Sequence, residues 1–284
     1  MDKRKIKSEL ITKKVSDLIR DCSIVLPDDI CNSISNCVKI SNNEQEKKLL
    51  NIVLENARIA KNKRVPLCQD TGMSIFFVEM GKNLEIEGSI NDIAQIINES
   101  VKSVYSEKKL RPSIIDDPLK GKNTIYNTPA FTSITYNNSD KINISFMAKG
   151  GGSENACAAS VLAPTQGFNG IKNFVLGLVR EKGINACPPL IIGLGIGGTL
   201  DHAVLESKKA LLRKIGQRNP DPYYAQKEIE LKNEINQTGI GVMGLGGSCT
   251  ALEVFIKELP RHIASLPIAV SVLCHSARRG KITI

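Results

Sequence analysis

The chain has no tryptophan, and aromatic residues fill only 4% of its 284 positions. Stacking platforms for single-stranded nucleic acid are therefore poorly supplied, and no nucleic-acid partner is expected. There is no CxxC pair, which excludes zinc ribbons and iron–sulfur runs built from one short segment. No apolar stretch approaches the ~20 residues that span a bilayer, so no membrane partner is expected. The N-terminal MDKRKIKSELITKK lacks the apolar core of a signal peptide. A cytoplasmic protein is the resulting expectation. Internal repeats and low-complexity tracts are also missing.

What is present is ordinary for a globular chain of this length: 42% apolar and 24% charged residues. The net charge is +9, but the basic residues are dispersed in short groups such as Arg278-Arg279-Gly280-Lys281. Such a balance alone fits a small anionic substrate as well as nucleic acid, and most of these lysines read as a solvated surface. Eight cysteines occur, at 22, 31, 37, 68, 157, 187, 249 and 274. In a reducing compartment these are not expected to form a disulfide framework. A metal site would have to join cysteines far apart in sequence.

Periodicity predicts an α+β (mixed α/β) domain over 1–284, with a helical N-terminal part (1–62) followed by a mixed α/β part (63–284). In SELITKKVSDLI, Leu10, Val15 and Leu18 fall near one face. Pro27, Asp28 and Asp29 open a second helix, and EQEKKLLNIVLENARIA forms a third. Cys22, Cys31 and Cys37 read as small buried apolar residues. SIFFVEM is a predicted strand, and the helix of 89–108 takes Ser89 as its N-cap. Residues 109–129 read as a long loop, and such loops tend to be functional. AFTSITY and KINISFMA are expected to pair as strands. Later elements are helices near 168–182, 200–214 and 223–236, and strands at PLIIGLG, ALEVFI and IAVSVL.

Gly193-Leu194-Gly195-Ile196-Gly197-Gly198 matches the dinucleotide fingerprint GxGxxG. The helix after it leads to NPDPYY rather than to a strand ending in an acid, so close strand–helix packing is the expected use. In Lys149-Gly150-Gly151-Gly152-Ser153-Glu154-Asn155, three glycines leave room for a ligand to approach the main chain, or simply form an exit turn. Cys68 opens CQDTG, Cys187 precedes two prolines, and Cys274 ends an apolar strand before His275. Each alone is either a core thiol or a ligand. Together they suggest one site. Four thiolates complete an iron–sulfur cube, whereas three leave one iron open as a Lewis acid, as dehydration of a hydroxy acid requires.

Several motifs in one order, RVPLCQDTG, NTIYNTP, AKGGGSEN, NACPP with GIGGT, LPRH and PIAVSVLCHSARR, make the chain resemble a known family from about residue 40 onward. It is the alpha subunit of class I (iron–sulfur) fumarate hydratase, which includes the alpha subunit of L(+)-tartrate dehydratase. The resemblance implies an oxygen-sensitive 4Fe-4S cluster on Cys68, Cys187 and Cys274, with one open iron. It places Gln69 and Asp70 at the substrate, Arg111 on a carboxylate, Gly151 offering main-chain N–H to the same dianion, and His262 near a carboxylate or hydroxyl. Asp70 and His262 are the implied catalytic groups of this chain. Ile125 stands where the family commonly has glycine. The chain ends without the domain that supplies the general base in single-chain members. A separate beta subunit is therefore implied, in a heterotetramer of two alpha and two beta chains. The expected reaction is reversible hydration of fumarate to L-malate, with L(+)-tartrate dehydration second. A non-catalytic iron–sulfur carrier or redox-sensing subunit is the alternative of another class.

Overall fold

The computed structural model describes residues 3–284. Its N-terminal part holds strand β1 (Arg4–Lys7) and helices α1 (Ser8–Ile24), α2 (Asp28–Ile40) and α3 (Glu44–Lys63). Strands β2 (Met73–Gly81) and β3 (Leu84–Glu87), helix α4 (Ile93–Glu107), and strands β4 (Phe131–Asn137) and β5 (Ile142–Lys149) follow. Next come the short helix α5 (Gly151–Asn155), strand β6 (Ala158–Leu162), helix α6 (Gly167–Lys182) and strand β7 (Leu190–Gly198). Helices α7 (Leu200–Ala210) and α8 (Pro222–Asn236) lead to strands β8 (Ala251–Arg261), β9 (Leu266–Leu273) and β10 (Arg278–Thr283). The fold is mixed α and β, as the periodicity predicts. Two compact units emerge. The first comprises the chain up to Pro27, Ile59–Gly150 and Arg278–Ile284; the second comprises Asp28–Arg58 and Gly151–Ala277.

In the first unit the sheet runs β10-β5-β2-β4. Helices α1 and α4 cover it, burying Ile11, Val15, Ile96, Ile97, Val101 and Val104 against Phe76, Val78, Ile144 and Phe146. The stripe on α1 is Ile11, Val15, Leu18 and Cys22, at the three- and four-residue steps of one helical face. Leu10, expected on that face, is exposed. Helix α4 starts later than the sequence reading has it. Its N-cap is Asp92, whose Oδ1 accepts from Ala94 N at 2.8 Å, and Ser89 plays no capping part.

The strands of AFTSITY and KINISFMA do not pair with each other. β4 lies parallel to β2, and β5 lies antiparallel to β2 on its other side. SIFFVEM is apolar on both faces and almost wholly buried, so it takes the centre. The two more polar strands flank it. The loop between α4 and β4 contains no regular element beyond one bridge, Ile115 to Asn123.

In the second unit the sheet runs β6-β9-β7-β8. β7 is buried along nearly its whole length, and its alternation assigns the two faces. Ile192, Leu194 and Ile196 meet Val175, Leu178, Leu231 and Ile235 from α6 and α8. Gly193 and Gly195 turn the other way, where a Cβ would strike the Ser207 and Ala203 carbonyls of α7. The fingerprint-like glycines are thus a packing device. Gly195→Ala is expected to cost about 1–3 kcal/mol, because the clash is backbone on backbone and α7 must shift. Urea denaturation measures it, and an unchanged midpoint would refute the close approach.

Candidate functional site

The functional residues fall into two groups, one in each unit. In the first, Cys68 and Asp70 are half-buried and Gln69 is exposed, just before β2. Gly72, at φ 81, closes the turn where a Cβ would come within 2.9 Å of the Lys149 backbone, so glycine is required twice over. Asp70 Oδ1 accepts from Gly72 N at 3.0 Å, a short-range carboxylate turn.

The long loop braces this turn. Thr71 Oγ1 donates to the Arg111 carbonyl at 2.5 Å, and Asn127 Nδ2 donates to the Gly72 carbonyl at 3.0 Å. Asn127 is fully buried and its Oδ1 accepts from Ser113 N at 2.7 Å. Tyr105 OH donates toward the carbonyls of Gly72 (3.1 Å) and Thr71 (3.3 Å). Burial pushes the Tyr105 hydroxyl above its ordinary pKa, against the lowering by its Thr71 bond and by the Arg278 charge. Arg111 is thereby tied to the CQDTG turn, with its side chain exposed. Ile125 adopts φ 70, so the left-handed conformation that favours glycine is kept without one.

In the second unit the Cys187 and Cys274 segments meet. Cys187, exposed and left-handed at φ 52, precedes β7. Its carbonyl accepts from His275 N at 3.3 Å and contacts His275 Nδ1 at 3.0 Å. The register agrees, since Ile191 lies opposite Leu273. Helix α5, which Gly151 opens, packs on the turn before Cys187. A Cβ on Gly152 would lie 2.7 Å from the Asn185 carbonyl. Gly151, Cys187 and Cys274 thus gather at one end of this sheet.

His262 does not join them. It lies beyond the far end of β8, exposed, with Nδ1 accepting from Ala264 N at 3.2 Å. β9 carries the chain from Leu266 to Leu273, roughly 25 Å at ~3.3 Å per residue. Within this unit His262 and the two cysteines stand at opposite ends of the sheet.

The thiol chemistry narrows the ligand choice. Cys37 and Cys249 are joined in a disulfide, with Cα atoms 6.3 Å apart. That corrects the reading of Cys37 as a buried thiol, because cysteines 212 positions apart give no pairing signal in sequence. Burial, helped by the Asp21 charge, pushes the Cys22 thiol up to about 12, which disfavours a thiolate ligand. Of the three N-terminal cysteines only Cys22 is buried. Cys31, Cys68, Cys157, Cys187 and Cys274 are thiols with at least partial exposure, the donor type an iron–sulfur cluster takes. Among the described residues, no set of three His, Cys, Asp or Glu side chains is already gathered around a single-ion position.

Arg278 and Lys149, which the sequence shows only as charged side chains within CHSARR and AKGGGSEN, are both buried. No helix of the described residues is long and apolar enough to cross a membrane.

Residues 12–283 match the family described as fumarate hydratase (Fumerase). A Methanocaldococcus jannaschii protein named "Putative L(+)-tartrate dehydratase subunit alpha" is 43% identical over 95% of this chain and 96% of its own length. The L(+)-tartrate dehydratase subunit alpha of Escherichia coli is 30% identical over 96% of this chain and 90% of its own, and that of Shigella sonnei matches equally well. The match takes in both groups of motif residues, from CQDTG to CHSARR, and the chain belongs to the fumarate hydratase (Fumerase) family.

Proposed function

We propose that this chain is the alpha subunit of a hydro-lyase for a small dicarboxylate, with reversible hydration of fumarate to L-malate as the first reading. The observation behind it is the meeting of the Cys187 and Cys274 segments beside Gly151, within a family match covering nearly the whole chain. Cys68, Cys187 and Cys274 would hold a 4Fe-4S cluster, which supplies Lewis acidity toward a substrate hydroxyl. Asp70, anchored through Oδ1, aims Oδ2 toward Gly150 and orients the substrate with Gln69. Arg111 takes one carboxylate bidentately, the task its planar fork suits. Gly151 offers main-chain N–H to the same dianion. The general base comes from a separate beta subunit, in an assembly of two alpha and two beta chains.

A second reading, L(+)-tartrate dehydration, is favoured by the names of the relatives at 43% and 30% identity. Anaerobic co-expression with the beta subunit, iron and sulfide reconstitution, and assays on both substrates decide between them. Hydration of fumarate upholds the first reading, and tartrate turnover alone moves the assignment to the second. A reconstituted complex inert toward both would leave a non-catalytic carrier or redox-sensing subunit and overturn the proposal.

A further inference from the structure

The register of the first unit's sheet gathers charge at one end. Met73 of β2 lies opposite Lys149 of β5, and Arg278 of β10 lies opposite Ala148. The turn carrying Asp70 therefore sits beside the start of β10. Arg278 shares its sheet face with Gly280, and a Cβ on Gly280 would come within 2.7 Å of Cys22 on α1. The Arg278 side chain thus runs beneath helices rather than into water, and the residue is 2% exposed.

This guanidinium is incompletely matched. Its Nε is buried and finds no hydrogen-bond acceptor among the described residues. Its Nη2 faces Gly150, 3.8 Å from where a Cβ would stand, and Asp70 Oδ2 faces the same position at 2.9 Å. The bare α-carbon of Gly150 lets the carboxylate and the guanidinium approach the main chain there. Burying a cation with an unmet donor is strongly unfavourable unless an anion completes it. The side-on edge of a guanidinium, Nε with one Nη, is shaped for two carboxylate oxygens.

We propose that Arg278 is a substrate-binding residue, receiving a carboxylate of the small dicarboxylate through its Nε and Nη2 edge, next to Asp70. This rests on the hydro-lyase reading and assigns the group that one end of the dianion meets. Arg111 is exposed and holds its carboxylate from the surface side. Arg278 holds its own from within the sheet's end. An anion seated there orients the carbon skeleton against the Asp70 carboxylate.

The test uses the reconstituted alpha–beta complex. R278Q is expected to raise KM for the dicarboxylate at least 30-fold and to weaken calorimetric binding of succinate, a non-reacting dicarboxylate, by a similar factor. The visible cluster absorption should stay unchanged. R278K keeps the charge but loses the fork, and should fall between. A wild-type KM and succinate affinity in R278Q would overturn the proposal while leaving the hydro-lyase reading intact. Should the variants not fold, the wild-type complex crystallised with succinate decides. A carboxylate oxygen about 3 Å from Nε supports the assignment, and succinate bound away from Arg278 ends it. If wild type neither hydrates fumarate nor dehydrates tartrate, the function reading fails, and the succinate measurements still judge Arg278 independently.

Discussion

Replacing Cys187 with serine should reduce turnover about a thousand-fold or more, since losing a direct ligand exceeds the 10–100-fold typical of outer partners. The visible iron–sulfur absorption should disappear with it. Stability should barely move. Cys187 is exposed and its carbonyl accepts from His275 N, and exposed substitutions usually stay within about 0.5 kcal/mol. Cys274→Ser and Cys68→Ser should give the same spectroscopic loss. The informative controls are the other cysteines. Cys22→Ala removes a buried thiol held up at about 12 and should lower stability while sparing the cluster. Cys249→Ser breaks the bond to Cys37 and should also keep the absorption. A full cluster spectrum in Cys187→Ser would show the ligand set to be wrong, whatever the activity.

What the sequence disclosed, and what it hid, follows from the range of each interaction. The CQDTG turn was legible because its needs are local: a glycine at positive φ, and an aspartate two residues earlier accepting from that glycine's N–H. The role of GIGG as packing was legible too, since glycines alternating with isoleucine and leucine imply one face pressed against a helix. The long loop declared itself by composition, although its bracing of Thr71 and Gly72 through Arg111 and Asn127 did not. Strand partners were less readable. AFTSITY and KINISFMA are neighbours in sequence, yet the strand buried on both faces, β2, separates them. No local pattern encodes that insertion. Nor does local pattern reveal that Arg278 points beneath α1, or that Cys37 meets Cys249. Nor does local pattern place His262, which the strand β8 delivers to the end of the sheet opposite Cys187 and Cys274.

Glu46→Ala should destabilise the second unit by about 3–5 kcal/mol, because removing a buried acceptor strands the donors around it. Glu46 stands in the first turn of α3 and is 1% exposed. Its Oε2 accepts from Ser41 Oγ at 2.6 Å and Ser248 Oγ at 3.1 Å, and its Oε1 accepts from Cys249 N at 2.7 Å. Gly247 has no side chain there, and a Cβ would run into the same carboxylate. One acid therefore holds the glycine-rich turn before β8. Burial alone would raise its pKa, but the bonds from Ser41, Cys249 and Ser248 outweigh it and hold the group below its ordinary 4.5. A depressed folded-state value means the contribution is present above that ordinary value and is lost as pH falls through the folded one. Denaturant titrations should show a wide gap between wild type and Glu46→Ala at pH 7, narrowing on acidification below about 4.5 as wild type loses stability. Glu46→Gln keeps an acceptor oxygen for Cys249 N but turns its NH2 toward the Ser41 and Ser248 hydroxyls, which must then accept instead of donate, and it loses the charge, so it should recover only part of the loss. A gap below about 1 kcal/mol at pH 7, or one that widens in acid, would mean that the turn is held by its own glycines and by the Cys37–Cys249 bond rather than by this carboxylate.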